Sequence, residues 1–156
     1  MIPLRLAALL SLVLGLAASV VSAAESSDEQ AVKTAVEGFL SALGEGDYEA
    51  VPAMFAANAT ISHPHQVDSR STMINETFEA WFAPRLAAKS RYRFREPVRH
   101  FDVHVDLGLA FVRADADFFV GDQLKSNNLD YFTLIKVDGA WKFVNASFVS
   151  KPAPAK

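Results

Sequence analysis

The feature that most constrains the fold is the alternation of apolar and polar residues through the second half of the chain. From Arg91 onward, this alternation is divided into four segments by the turn signals Asp106-Leu107-Gly108, Gly121-Asp122 and Asp138-Gly139. A side-chain period of two predicts β-strands, and tight turns between consecutive strands predict antiparallel pairing. The second half is therefore predicted to form an antiparallel meander.

The first half follows a helical pattern instead. Apolar residues step by three and four from Val32 to Leu43, which predicts an amphipathic helix. A short second helix is predicted to close on Phe55, a brief strand over residues 58–62, and a third helix from about Thr72 with a kink at Pro84. Helices followed by a meander predict an α+β domain in which three N-terminal helices pack on one face of a curved antiparallel sheet.

The first long strand contains a change of phase. Tyr92 and Phe94 are apolar at even positions, whereas Phe101 and Val103 are apolar at odd positions. A bulge near Glu96-Pro97 would restore one continuous apolar face. Because strands that bend at bulges curl a sheet around a pocket, a concave sheet is predicted.

The last strand is apolar on both sides in a regular strand geometry. Trp141 and Phe143 lie on one side, and Val144 and Phe148 lie on the other. A strand that is apolar on both faces is expected to be covered on both. This pattern predicts a homodimer that packs sheet to sheet.

The N-terminus has the pattern of a secretory signal peptide. A single charge at Arg5 precedes a long uncharged stretch, and Val21-Ser22-Ala23 places small or β-branched residues at a cleavage site. Residues 1–23 are predicted to be a signal peptide and residues 24–156 one domain, with its core at about 28–149, located in the periplasm or secreted. An uncleaved membrane anchor over Leu6 to Ala24 is the alternative, and the alanine-rich core that ends in a cleavage pattern disfavours it.

The remaining composition excludes several classes of function. All but one of the 15 basic residues and all 18 acidic residues lie beyond residue 23, so the formal net charge falls from −3 to −4 on cleavage. Nucleic acid is therefore not an expected partner, because phosphate binding needs a basic surface. The sequence contains no cysteine, which excludes disulfides, thiol nucleophiles and thiolate metal sites. No cofactor, and no membrane partner after cleavage, is predicted.

The order of these segments resembles a known superfamily. The matching pieces are Phe39-Leu40-Ser41-Ala42-Leu43, Gly46-Asp47, Met54-Phe55-Ala56, Ala59-Thr60-Ile61 and the hairpin Asp138-Gly139-Ala140-Trp141-Lys142-Phe143. Together they resemble the NTF2-like superfamily, which includes SnoaL-like cyclases and ketosteroid isomerase. The resemblance covers about Asp28 to Val149, and it implies a cone-shaped curved sheet wrapped round helices, often in a dimer.

The resemblance also implies two candidate catalytic residues. Ala59-Thr60-Ile61-Ser62-His63-Pro64 places His63 where ketosteroid isomerases carry an aspartate as general base, and histidine can exchange a proton near neutral pH. Asp130 is a candidate for the second, acidic donor position. Phe39 stands where those enzymes have a carbonyl-polarising tyrosine, and because a phenyl ring donates no hydrogen bond, isomerase chemistry is disfavoured.

Two histidine groups suggest metal ligands at first inspection. His63 and His65 are separated by Pro64, and two histidines alone do not complete a metal site. His100, Asp102 and His104 alternate along a strand opposite apolar residues, so they are predicted to face solvent. No metal site is predicted.

Three hypotheses for function remain open. The first is binding of a small apolar or amphipathic molecule in an apolar pocket with His63 at its rim, lined by the aromatic residues Phe39, Phe55, Trp81, Phe94 and Tyr131. The second is an enzyme that uses His63 as general base for a cyclisation, isomerisation or dehydration. The third is a non-catalytic homodimeric interaction module. The sequence does not separate the three.

Overall fold

The computed structural model describes residues 27–67, 70–88 and 92–153. The predicted signal peptide lies outside these residues. The described chain contains two α-helices, one 3-10 helix and six β-strands. In chain order these are α1 (residues 27–45), the 3-10 helix Val51–Met54, β1 (Phe55–Val67), β2 (Arg70–Thr77), α2 (Phe78–Ala87), β3 (Val98–Asp106), β4 (Leu109–Val120), β5 (Gln123–Val137) and β6 (Ala140–Pro152).

The six strands form one sheet in the order β2-β1-β6-β5-β4-β3. Strands β3 to β6 make the predicted antiparallel meander, and β1 joins it by parallel pairing with β6. The turns at Leu107-Gly108 and Asp138-Gly139 have positive φ at both residues, as two-residue hairpins with a right-handed strand twist require. The α+β class and the meander are confirmed.

The prediction of three helices is wrong, because residues 70–77 form β2 rather than the start of a helix. Strand β2 pairs along its whole length with β1, and α2 begins at Phe78, where the Thr77 hydroxyl accepts a hydrogen bond from the Ala80 N–H at 3.2 Å. The predicted second helix is a single 3-10 turn with Pro52 in its first positions, followed by the extended residue Phe55. Pairing with β1 thus overrides the local helical pattern.

The stretch His63-Pro64-His65 continues β1 beyond residue 62, where the predicted brief strand ends. Pairing with β6 ends at Ser62, and beyond it β1 has a free edge opposite to β2. A proline is tolerated there because no partner strand needs its missing N–H.

Bulges give the sheet one continuous apolar face. The pairing of β3 with β4 shifts between Val98 and His100, which turns Val98 and Phe101 toward the same side and confirms the irregularity predicted beside Pro97. In β6, Val144 is an extra residue between Phe143 and Asn145 opposite β5.

The bulge at Val144 also corrects the prediction of a last strand apolar on both faces. Trp141 and Phe143 before the bulge and Ala146 after it are all buried in one core. A residue inserted between Phe143 and Asn145 changes the phase of the alternation, so Trp141, Phe143 and Ala146 all face inward. The last strand therefore does not itself require a second covered face.

The core lies between the concave face of the sheet and the two α-helices. The Phe39 ring of α1 lies 6.1 Å from that of Phe132 and 5.2 Å from that of Phe143, while Phe78 and Trp81 of α2 are buried beside them. Within the described residues, none of the helices has the length and apolar character needed to cross a membrane.

Candidate functional site

A cavity of about 380 Å³ lies between the concave face of the sheet and the two α-helices. Its walls come from α1, α2, the segment before β3, and the strands β1, β4, β5 and β6. Most of the wall is apolar and aromatic, and the polar groups are concentrated on β5 and the segment before β3. The lining residues are Phe39, Leu40, Leu43, Tyr48, Ile61, Trp81, Arg85, Tyr92, Phe94, Glu96, Phe118, Ser126, Asn128, Asp130, Phe132, Ala146, Ser147, Phe148 and Ser150.

Asp130 is a buried carboxyl in this wall. Only 4% of the residue is exposed, and its Oδ2 atom has no hydrogen-bond partner among the described residues. Burial, and after it the negative charges of Glu96 and Asp115, raise the pKa of Asp130 from its ordinary 3.8 to about 8. The Asp130 carboxyl therefore retains a proton at neutral pH.

Glu96 stands beside Asp130 as a second carboxyl. Its Oε1 accepts a hydrogen bond from Asn128 Nδ2, and Asn128 Oδ1 in turn accepts one from Ser126 Oγ at 2.8 Å. Burial raises the pKa of Glu96, and the hydrogen bond from Asn128 opposes that effect. The polar end of the cavity thus contains a hydrogen-bonded chain of Ser126, Asn128 and Glu96, with Asp130 as a second acid beside it.

This polar end carries a signal that the sequence analysis missed. Ser126, Asn128 and Asp130 share the face of β5 that continues into the buried residues Phe132 and Leu134. Polar residues at three successive inward positions of an otherwise apolar strand face indicate that this part of the face lines a cavity rather than the core. No local pattern around Glu96 predicted its place, because β5 lies more than 25 residues away in the chain.

The segment that carries Glu96 is held against α1. The Phe94 N–H donates to the Gly44 carbonyl at 3.0 Å, and Arg95 exchanges hydrogen bonds with Phe119 of β4. A Cβ on Gly44 would lie 2.5 Å from the Phe94 carbonyl oxygen. Only glycine at position 44 allows this close approach.

A cationic group lines another part of the wall. The Arg85 guanidinium lies 3.7 Å from the centre of the Trp81 ring, and its Nη1 donates to the Trp81 carbonyl at 2.6 Å. Burial lowers the pKa of Arg85, and the neighbouring Tyr48 and Glu76 oppose this. The Nε1 atom of Trp81 is buried without a hydrogen-bond partner among the described residues.

His63 lies on the same concave face but outside the cavity lining. Its ring stacks on Phe148 with 5.2 Å between centroids, and its Nε2 lies 3.5 Å from Glu76 Oε1. Phe148 pairs with Asp130 across β5 and β6. The two candidate catalytic residues therefore lie on opposite sides of Phe148, His63 through a ring contact and Asp130 through strand pairing.

The structure brings three of the five predicted ligand-binding aromatics to the cavity, namely Phe39, Trp81 and Phe94. Phe55 is buried in the core, where its ring stacks on Phe78 at 4.0 Å. Tyr131 is 47% exposed on the convex face, because it alternates with the inward residues Asp130 and Phe132.

The histidines of β3 lie on the convex face of the sheet. His100, Asp102 and His104 are exposed, and His104 Nε2 lies 3.5 Å from Asp102 Oδ1. Across residues 27–67, 70–88 and 92–153, the structure has no cluster of three or more histidine and acidic side chains that could hold a metal ion.

Comparisons with known proteins agree on the fold. A family model described as putative lumazine-binding matches residues 27–149. An NTF2-like protein of unknown function from Shewanella baltica superposes with a TM-score of 0.61 at 19% identity, over 82% of this chain and 97% of the other.

Two further solved structures carry enzyme names. A putative dehydratase of the NTF2-like family from Streptomyces avermitilis gives a TM-score of 0.62 at 16% identity, over 83% of this chain and 99% of the other. A putative scytalone dehydratase from Novosphingobium aromaticivorans also gives 0.62 at 16% identity, over 80% and 84%. No curated protein matches the sequence. At these identities the likeness concerns the fold, which in this class hosts unrelated functions.

Proposed function

The chain belongs to the putative lumazine-binding family and has an NTF2-like fold, and we propose that its cavity binds a small amphipathic molecule. The apolar part of the molecule packs against the aromatic wall, and its polar group meets Asp130 and Glu96. The observation that carries this proposal is Asp130 Oδ2 in the cavity wall, a buried atom with no hydrogen-bond partner among the described residues. A buried polar group without a partner costs about 1–3 kcal/mol, and a ligand that bonds to it recovers that free energy.

The size and lining of the cavity support this proposal. A volume of about 380 Å³ falls within the usual range for small-molecule sites, about 300–1,000 Å³, and such sites combine apolar walls with a few convergent polar groups. Lumazine, the flat bicyclic molecule in the family description, is one neutral probe. Naphthylmethanol is a second, with a similar body and a single hydroxyl.

The test is isothermal titration of both probes into the purified protein and into Leu43→Trp, which fills the cavity from α1. Ser41→Trp is the matched control, because Ser41 lies two residues before Leu43 on the same helix and its side chain is exposed. We expect at least one probe to bind, the Leu43 variant to lose binding by about tenfold or more, and the control to keep it. Equal binding by the two tryptophan variants would refute a site in this cavity.

A second candidate function is acid–base catalysis on a small organic substrate. The row Asp130, Phe148 and His63 supports it, because it places a protonated carboxyl and an imidazole on one concave face. In a dehydration, His63 would take the proton next to a carbonyl group and Asp130 would give its proton to the departing hydroxyl. The dehydratase names of two structural relatives agree with this reaction class.

This candidate is tested by following loss of water from simple β-hydroxy ketones. His63→Ala should lower the rate by about 10²–10⁴-fold, whereas His65→Ala, at an exposed neighbouring position, should not. If the His63 variant retained the full rate, the general-base role would be excluded.

We also propose that residues 1–23 direct export and are removed after Ala23. The support is the sequence pattern alone, a charged start, an uncharged stretch and small residues at the cleavage site. Intact mass of the protein recovered from the producing cell should lack residues 1–23. Ala23→Arg should block that cleavage, and full-length wild-type protein would contradict the proposal.

The convex face supports a homodimer. Four apolar residues are exposed there on adjacent strands, Leu109 (37%), Phe111 (54%), Tyr131 (47%) and Val149 (44%). Arg113, opposite Tyr131 on β4, pairs with Asp115 of the same strand at 3.1 Å. An apolar patch of this kind is typical of a protein interface.

Light scattering after size-exclusion chromatography tests the dimer. Phe111→Lys should give a monomer, and Leu107→Lys is the matched control, because Leu107 is fully exposed in the turn before β4. A wild-type monomer at high concentration would refute this assembly.

A further inference from the structure

Among the described residues that line the cavity, Arg85 on α2 is the only cation, and the charges that act on Asp130 at the acidic end, those of Glu96 and Asp115, are negative. We propose that the molecule bound in this cavity is an organic cation, an amine or quaternary ammonium on an apolar body, whose charged head lies between Asp130 and Glu96. This inference rests on the proposed binding function and adds the chemical class of the ligand.

The geometry at the acidic end carries the proposal. Asp130 is 4% exposed and its Oδ2 is unpartnered within the described residues. Asn128 Nδ2 donates a hydrogen bond to Glu96 Oε1 and fixes Glu96 beside Asp130, and within the described residues the second Glu96 oxygen accepts no side-chain hydrogen bond. Two carboxyls without a counter-charge in an apolar wall favour a ligand that supplies the positive charge.

The other charged groups around the cavity do not neutralise this end. Among the lining residues, α1 contributes only apolar side chains, and Arg85 of α2 has Glu76 as its acidic neighbour. On β4, Asp115 is a further acidic neighbour of Asp130, and Arg113 pairs with Asp115 at 3.1 Å. His63 of β1 is separated from Asp130 by the Phe148 ring. The described lining residues therefore supply no positive charge at the acidic end.

Aromatic rings stand next to the two acids. The rings of Phe94 and Phe118 lie 4.8 Å apart in the wall beside Glu96, and Phe132 and Phe148 flank Asp130 on β5 and β6. Aromatic faces attract organic cations, and the combination of such rings with carboxylates is a recurrent recognition mode for ammonium groups.

Protonation gives this proposal a distinctive pH dependence. Without ligand, the raised pKa of Asp130 keeps a proton on the carboxyl at neutral pH, and an ammonium head replaces that proton. Binding of an amine therefore releases a proton, and its affinity rises with pH up to about 8. A neutral ligand that accepts a hydrogen bond from protonated Asp130 has the opposite dependence.

The experiment compares three probes of one shape, naphthylmethylamine, naphthylmethanol and naphthoic acid, by isothermal titration at several pH values. We expect the amine to bind at least about tenfold more tightly than the alcohol near pH 8, and the acid to bind most weakly. Titration of the amine in two buffers of different ionisation enthalpy should report proton release near pH 7.

Variants assign the effect to the acidic pair. Asp130→Asn should lower amine affinity about tenfold or more, leave alcohol affinity within a few-fold, and abolish the proton release. The matched control is Asp122→Asn, whose side chain is exposed in the β4–β5 turn. Circular dichroism of each variant establishes that it is folded before its affinity is compared.

The outcomes separate this proposal from the binding function on which it rests. If the alcohol binds as tightly as the amine, or amine affinity falls as pH rises, the cation proposal is overturned while the binding function stands. If none of the probes binds, and the Leu43→Trp variant differs from wild type for none of them, both fail.

Discussion

Substitution of Asp130 by asparagine should remove a large part of the pH dependence of folding. In the folded protein the pKa of Asp130 is raised from its ordinary 3.8 to about 8, whereas in the unfolded chain the carboxyl is in water. Between these two values the folded state binds one more proton than the unfolded state. This contribution to stability is complete below about pH 4 and is lost as pH rises through about 8.

The magnitude follows from the two pKa values. Each pH unit between them changes the free energy of unfolding by about 1.4 kcal/mol, so the whole interval corresponds to about 6 kcal/mol as an upper limit. Asparagine carries no titrating proton, and its amide adds a pH-independent cost of about 1–3 kcal/mol where its N–H groups lack partners. The change in unfolding free energy with pH, rather than its value at one pH, therefore isolates the contribution of the Asp130 proton.

The assay is urea unfolding followed by tryptophan fluorescence from about pH 5 to about pH 7.5. The difference in unfolding free energy between Asp130→Asn and wild type should change in favour of the variant by about 1 kcal/mol per pH unit. Asp122→Asn, at an exposed turn position, should follow the wild-type curve. Parallel curves for wild type and Asp130→Asn would refute the argument that Asp130 is buried and protonated.

Three further predictions test the packing around the site. Gly44→Ala should destabilise the fold by about 1–3 kcal/mol, because its Cβ meets the Phe94 carbonyl, while Gly38→Ala, with open space around it, should stabilise by about 1 kcal/mol; equal urea midpoints would contradict this. Thr77→Ala should cost about 1 kcal/mol through loss of the α2 cap, measured by thermal unfolding. Phe143→Ala should cost about 3–5 kcal/mol, because Phe143 is 1% exposed at the centre of the aromatic core, and a cost below about 1 kcal/mol would argue against that packing.

The candidate site was predictable in part. The resemblance of the Ala59–Pro64 motif put His63 at the rim of the pocket, and Asp130 was a candidate for an acidic position. In the structure Asp130 lines the cavity, whereas His63 contacts the lining residue Phe148 from outside the lining. Glu96 and Asn128 were missed, because their hydrogen bond joins segments that are 32 residues apart in the chain. Tyr131 and Phe55 were assigned to a pocket because they are aromatic, but strand phase and core packing decide which way an aromatic residue points.

The sequence by itself determined the elements whose signals are local. Turn residues with positive φ, the period of two after Arg91 and the helical period before Gly44 specify the meander and α1 without reference to distant residues. The tertiary structure alone decided the conversion of residues 70–77 to a strand, since its hydrogen bonds come from β1. The tertiary structure also decided that apolar side chains of β6 on both sides of the bulge at Val144 point into the core. The acidic end of the cavity belongs to the same class, because the burial that keeps a proton on Asp130 is supplied by elements from all parts of the chain.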